Sequence, residues 1–88
     1  MTRMERIKQA LTALEPTLLE VIDDSARHVG HAGAMTGLGH FNVVIEAQAF
    51  AGLNAIARHR LIYQALGTLM ETDIHALGIQ ARVPAVGA

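Results

Sequence analysis

Five histidines and no cysteine bound the chemistry open to this 88-residue chain. Neutral imidazole is a ligand for iron, copper and zinc and an acid or base near neutral pH. Without a thiol in the sequence, any metal must be held by His, Asp or Glu. His28, His31 and His40 fall close together, His75 stands near the end, and His59 stands apart from them. An enzyme would use His28 or His75 as a general base oriented by Asp23 or Asp24. No phosphate-binding loop and no nucleophile beyond isolated serines and threonines accompanies that arrangement, so the histidines read as ligands or contacts in a non-enzymatic protein.

The elements that position them follow from periodicity. Thr2 and Glu5 have capping-box spacing, and Met4, Ile7, Leu11 and Leu14 recur at intervals of three and four, which predicts a helix over 3–14 ended by Pro16. The run from Leu18 to Asp23 is short and rich in branched residues, and Asp24-Ser25 closes it, so it reads as a strand. From Asp24 to Gly39 the chain has no apolar periodicity and carries Gly30, Gly33, Gly37, His28 and His31; a loop of that length in a compact domain is usually functional or mobile. His40 to Ala47 alternates, with Phe41, Val43, Ile45 and Ala47 on one side, and predicts a second strand that makes a hairpin with the first.

Asn54 is a plausible N-cap for a helix over about 54–71, with Ile56, Tyr63, Leu66 and Met70 at helical spacing and Leu53, Ala57, Leu61 and Leu69 beside them. A third strand over 74–81 puts Leu77, Ile79 and Ala81 on one face. The order is α-β-β-α-β, an α+β fold with a three-stranded mixed sheet in one domain spanning 1–88. Because a helix joins the second and third strands, they run parallel. His75 then opens its strand at the edge where strand two begins and the glycine loop hangs, which gathers His28, His31, His40 and His75 at one end of the molecule.

Composition narrows the function classes. Hydrophobic residues are 51% and charged residues 17% of the chain, a globular balance. The formal net charge is -1, so no overall positive field draws in nucleic acid or an anionic membrane, and nucleic-acid binding would need a local patch. No apolar run approaches the roughly 20 residues of a membrane span and no signal-like segment follows the charged start, which predicts a cytoplasmic protein. A chain this short has little room for a large substrate cavity.

Several stretches together resemble the BolA family: Arg58-His59-Arg60-Leu61-Ile62-Tyr63, then Ile74-His75-Ala76-Leu77, with Leu19-Glu20-Val21, Asp24-Ser25 and His40-Phe41 in the same order. The likeness runs from Arg6-Ile7 to Pro84. It implies an α-β-β-α-β domain similar to the class II KH fold. It also implies partnership with a monothiol glutaredoxin, the two proteins bridging a 2Fe-2S cluster used in iron-sulfur trafficking or iron regulation. The glutaredoxin and glutathione would supply the thiolates, the isolated chain would hold no cluster, and alone it would be a monomer or weak homodimer. By the resemblance, His75 before Ala76-Leu77 is the metal ligand, and the loop supplies the second, His28 counted from Ser25, with His31 able to replace it. Histidine ligation raises a cluster's reduction potential relative to all-cysteine ligation. The sequence departs from the pattern at Gly39, in its longer loop, and after Pro84, where a final helix is not expected.

The family is also linked to DNA binding and transcriptional control of stress response and cell morphology. In this chain that alternative falls on Arg58, His59 and Arg60, where two arginines flank a histidine on a helix and can meet phosphates; against it stands a solvated face with an arginine paired to Glu71, Asp73 or another acid. Gly30-His31-Ala32-Gly33 has the form of a KH phosphate clamp, but it lies in a β-hairpin loop and has no basic residue between its glycines.

Overall fold

A computed structural model describes residues 2–24 and 39–85. Helix α1 (Arg3–Leu11) begins as its capping box predicts, with the Glu5 amide donating to Thr2 Oγ1 at 3.1 Å. The helix expected over 3–14 tightens at its end into a 3₁₀ turn, Thr12–Leu14, and reverses at Glu15 in the left-handed region (φ 52°). Pro16 is the reason, because its ring excludes right-handed helical geometry at the preceding residue.

Strands β1 (Leu18–Asp23) and β2 (Gly39–Glu46) pair antiparallel, Leu18 opposite Glu46 and Asp23 opposite Phe41. A 3₁₀ turn at Gln48–Phe50 buries Phe50, and the Ala57 amide donates to Asn54 Oδ1 at 2.9 Å to start α2 (Ala55–Leu66). The single helix expected over 54–71 is broken at Gly67, whose φ of 55° closes α2, and resumes as the short α3 (Leu69–Thr72). Strand β3 (Ile74–Arg82) then runs parallel to β2, giving the sheet order β1-β2-β3.

One sheet face is covered by α1 and α2. Val21, Phe41, Val43 and Ile45 meet Ile7, Leu11, Ile62 and Leu66 there in one core with Phe50 and Ile74. The apolar stripe of α2 and α3 keeps part of the expected one, with Leu66 buried and Leu61, Leu69 and Met70 packed against the core, but Ile62 is buried whereas Ile56 is 65% and Tyr63 42% exposed. At 100° per residue two stripes fit the helix, and the sheet selects the one Ile62 belongs to. No helix among the described residues is long and apolar enough to cross a membrane.

Among the described residues no helix covers the other sheet face. Along it the register sets Leu18 beside Glu46 and Arg82, Glu20 beside Val44 and Gln80, and Ile22 beside Asn42 and Gly78, with Asp24, His40 and Ala76 at the far end. Alternation in the strands assigns these residues to the side away from the core.

Candidate functional site

At the far end of that face two backbone bonds tie the strands and the turn before β3 together. The Asp24 amide donates to the His40 carbonyl at 2.8 Å, and the Gly39 amide donates to the Asp73 carbonyl at 3.0 Å. These two bonds close the edge from which the glycine-rich segment leaves and to which it returns.

Asp73 anchors the edge to α1. Its Oδ2 accepts from Arg6 Nε at 2.9 Å and Nη2 at 2.5 Å, with Arg3 Nε 3.8 Å away, and its Oδ1 accepts from the Thr72 hydroxyl at 2.6 Å. The residue is 7% exposed. Thr72 and Arg6 hold its carboxyl below the usual carboxylate range, outweighing the opposite push of burial. The next residue, Ile74, is buried in the core, so two successive anchors precede His75.

At that point β3 departs from regular pairing. Gly39 lies opposite Ile74 and His40 opposite Ala76, which leaves His75 as an extra residue with no partner position on β2. Strict alternation back from Leu77 would turn His75 toward the helices; an inserted residue breaks that alternation and re-aims the side chain. His75 is exposed, and its ring centroid is 5.0 Å from that of half-buried His40, the planes tilted by 49°. The Nε2 atom of His40 is sealed from solvent.

Beside the pair an open hollow of about 290 Å³ is lined by Asp24, His40, Asn42 and Gly78, among others. It adjoins a second of about 480 Å³ that shares Asp24, Asn42 and Gly78 and reaches Ile22, Val44 and Gln80. Asn42 Nδ2 donates to Asp24 Oδ2 at 3.3 Å, and its Oδ1 occupies the space a β-carbon on Gly78 would need. The missing side chain at Gly78 is what lets Asn42 lie across the sheet toward Asp24.

The structure thus brings together His40 and His75 of the four histidines expected at this end. His28 and His31, and with them the Gly30–Gly33 stretch, lie outside the described residues. Among the described residues no three His, Asp or Glu converge to hold a metal ion. Of the two, His75 is the exposed imidazole, and a metal centre at this edge would need donors beyond this pair.

Arg58, His59 and Arg60 differ in their surroundings. Arg58 donates from Nε to the Leu53 carbonyl at 2.9 Å and from Nη1 to the Ala81 carbonyl at 3.0 Å, bolting the start of α2 to the end of β3. His59 is half-buried and Arg60 exposed. The acid weighed as an arginine partner, Asp73, is taken by Arg6 from α1. Sequence reasoning missed three positioning groups: Arg58 as a backbone tie, the Asp24–Asn42 clasp and the Arg6–Asp73 anchor. Their one advance signal is position, Asp73 and Asp24 each standing at a strand boundary.

A family model described as BolA-like protein matches residues 11–85. Protein BOLA1, chloroplastic, of Arabidopsis thaliana is 41% identical over 87 residues, covering 93% of this chain and 54% of that protein. SufE-like protein 1, chloroplastic/mitochondrial, from the same plant is 41% identical over 90 residues, 96% of this chain but 24% of its own length. The chain thus spans about half of one of these relatives and a quarter of the other. The DNA-binding transcriptional regulator BolA of Escherichia coli (strain K12) is 41% identical over 76 residues, 85% of this chain and 70% of the regulator. The solved structure of BolA1 from Arabidopsis thaliana superposes with a TM-score of 0.81 at 39% identity, covering 96% of this chain and 94% of that one. The strand order, the helices on one face and the match along nearly all of the described residues agree, and the chain belongs to the BolA-like protein family.

Proposed function

We propose that the protein is a non-enzymatic adaptor that partners a monothiol glutaredoxin to share a bridging 2Fe-2S cluster, for iron-sulfur trafficking or iron regulation. His75 is the imidazole ligand, and the loop between Asp24 and Gly39 supplies the second through His28 or His31. The partner and glutathione provide the thiolates that a cysteine-free chain cannot. A cluster with mixed nitrogen and sulfur ligands has a higher reduction potential than an all-thiolate one.

The observation that carries this reading is the exposed His75 ring beside His40, at the edge where the loop departs. An exposed imidazole set at a bulge suits a ligand that completes a shell assembled on another protein. The BolA domain in a SufE-like relative is consistent with work beside iron-sulfur machinery. We place the activity in the cytoplasm, although the plant relatives carry chloroplastic names.

The test is to mix the purified protein with cluster-loaded monothiol glutaredoxin and record visible absorption and circular dichroism. A change that appears with the native chain and disappears with His75→Ala supports the proposal. If His75→Ala produces the same spectral change as the native chain, His75 is not a ligand.

The name of the Escherichia coli relative favours a second reading, binding to DNA in transcriptional control. Its cation would be Arg60, with His59 beside it as a hydrogen-bonding group, because two donor groups of Arg58 are spent on backbone carbonyls. Binding to a duplex at low salt that weakens steeply as salt rises supports it, and no binding at low salt removes it.

A further inference from the structure

We infer that His40 is a positioning residue for His75, its ring forming the wall against which the exposed imidazole is held in a restricted orientation. The inference takes its functional weight from the reading of His75 as a ligand. Four observations carry it. His75 sits at a bulge, so no partner residue on β2 fixes its direction. His40, by contrast, is in the ladder: its carbonyl accepts the Asp24 amide at 2.8 Å, it stands opposite Ala76, and the next residue, Phe41, is buried.

The two rings meet at 5.0 Å with a 49° tilt, within the range at which aromatic rings attract through tilted and edge-to-face arrangements. The Nε2 of His40 is sealed from solvent while His75 is exposed, so the two imidazoles have different tasks: one is built into the sheet and the other is offered outward. A freely rotating ligand loses rotamer entropy when it is captured. A wall that removes unproductive rotamers beforehand lowers that cost, which is what supports behind a ligating side chain do in general.

The test uses the full chain with labelled histidine and reads the His75 side chain directly. Three-bond couplings that report χ1 of His75, and ring-to-ring nuclear Overhauser contacts with His40, are measured in the isolated protein. The expected result is one χ1 well and clear ring contacts. His40→Phe keeps an aromatic wall and keeps the single well. His40→Val, a residue that suits a strand, gives couplings averaged over rotamers and weakens cluster assembly with monothiol glutaredoxin by about three- to tenfold, the scale of one ring contact.

Averaged couplings in the native chain, native couplings in His40→Val, or averaging in His40→Phe would each overturn the inference. If His40→Val gives no folded amide spectrum, the native ring contacts and His40→Phe decide in the same way. Should His75→Ala give the same spectral change as the native chain, the cluster reading falls, while the coupling measurement still decides whether His40 holds His75.

Discussion

Arg6 and Asp73, 67 positions apart in the chain, are joined by two hydrogen bonds onto one carboxylate oxygen, from Nε at 2.9 Å and from Nη2 at 2.5 Å. The contact fastens the middle of α1 to the residue that launches β3, two positions before His75. Asp73 also holds the start of β2 through its carbonyl and the Gly39 amide. The candidate site is thus braced by a helix that contributes no residue to it.

Asp73→Asn should cost about 1–2 kcal/mol at neutral pH, since it weakens charge-assisted bonds whose Arg6 partner is partly exposed and therefore partly screened. The cost should depend on pH in one direction. The folded-state pKa of Asp73 lies below its unfolded value, so its contribution is complete above the unfolded pKa and is lost as pH falls through the folded one. Urea unfolding of both proteins at pH 7 and at about pH 3 checks this, with the gap between them narrowing in acid. A gap that widened in acid would contradict the assignment.

Gly78→Ala should alter the open face more than it alters stability. The new β-carbon would fall on Asn42 Oδ1, so the amide must rotate away from Asp24. The lost hydrogen bond is exposed, and alanine is worth roughly 0.5–1 kcal/mol over glycine inside a strand, so the net change should stay within about 1 kcal/mol. The readout is the Asn42 side-chain amide resonance, which should move while the thermal midpoint barely changes. An unmoved resonance would mean that Asn42 is not held across the strand.

Glu15→Gly should stabilise the fold by up to about 1 kcal/mol. Glu15 occupies the left-handed region after the first helix, where a side chain is strained and glycine is the usual residue. The gain is reduced by the extra freedom that glycine gives the unfolded chain. Chemical denaturation measures it, and a loss of more than about 1 kcal/mol would show that the Glu15 side chain contributes something its geometry does not reveal.

The meeting of His40 and His75 was legible because it follows from topology: a helix between two strands makes them parallel, and parallel strands start at the same edge. The bulge at His75 was not legible, because alternation read back from Leu77 gives the opposite direction and nothing in Ile74-His75-Ala76 marks an inserted residue. The buried stripe of α2 is legible only in part, for a related reason. Ile56 and Tyr63 fit a helical stripe with Leu66 as well as Ile62 does, and the choice between them belongs to the sheet and α1, not to the helix. Gly67 was visible as a residue, but a glycine within an apolar pattern does not by itself declare whether it will break the helix.

Arg58 and Arg60 look equivalent in sequence and should behave in opposite ways. Arg58→Ala removes donors to the Leu53 and Ala81 carbonyls in a part-buried setting and should cost about 2 kcal/mol. Arg60→Ala removes an exposed side chain and should stay within about 0.5 kcal/mol. Thermal and urea unfolding of the two variants test the ranking. The same pair separates structural from DNA-contacting roles: if DNA is bound through this helix, Arg60→Ala lowers affinity and the salt slope at unchanged stability, whereas Arg58→Ala acts mainly through the fold. Equal stability losses would show that the Arg58 tie is not what joins α2 to the end of β3.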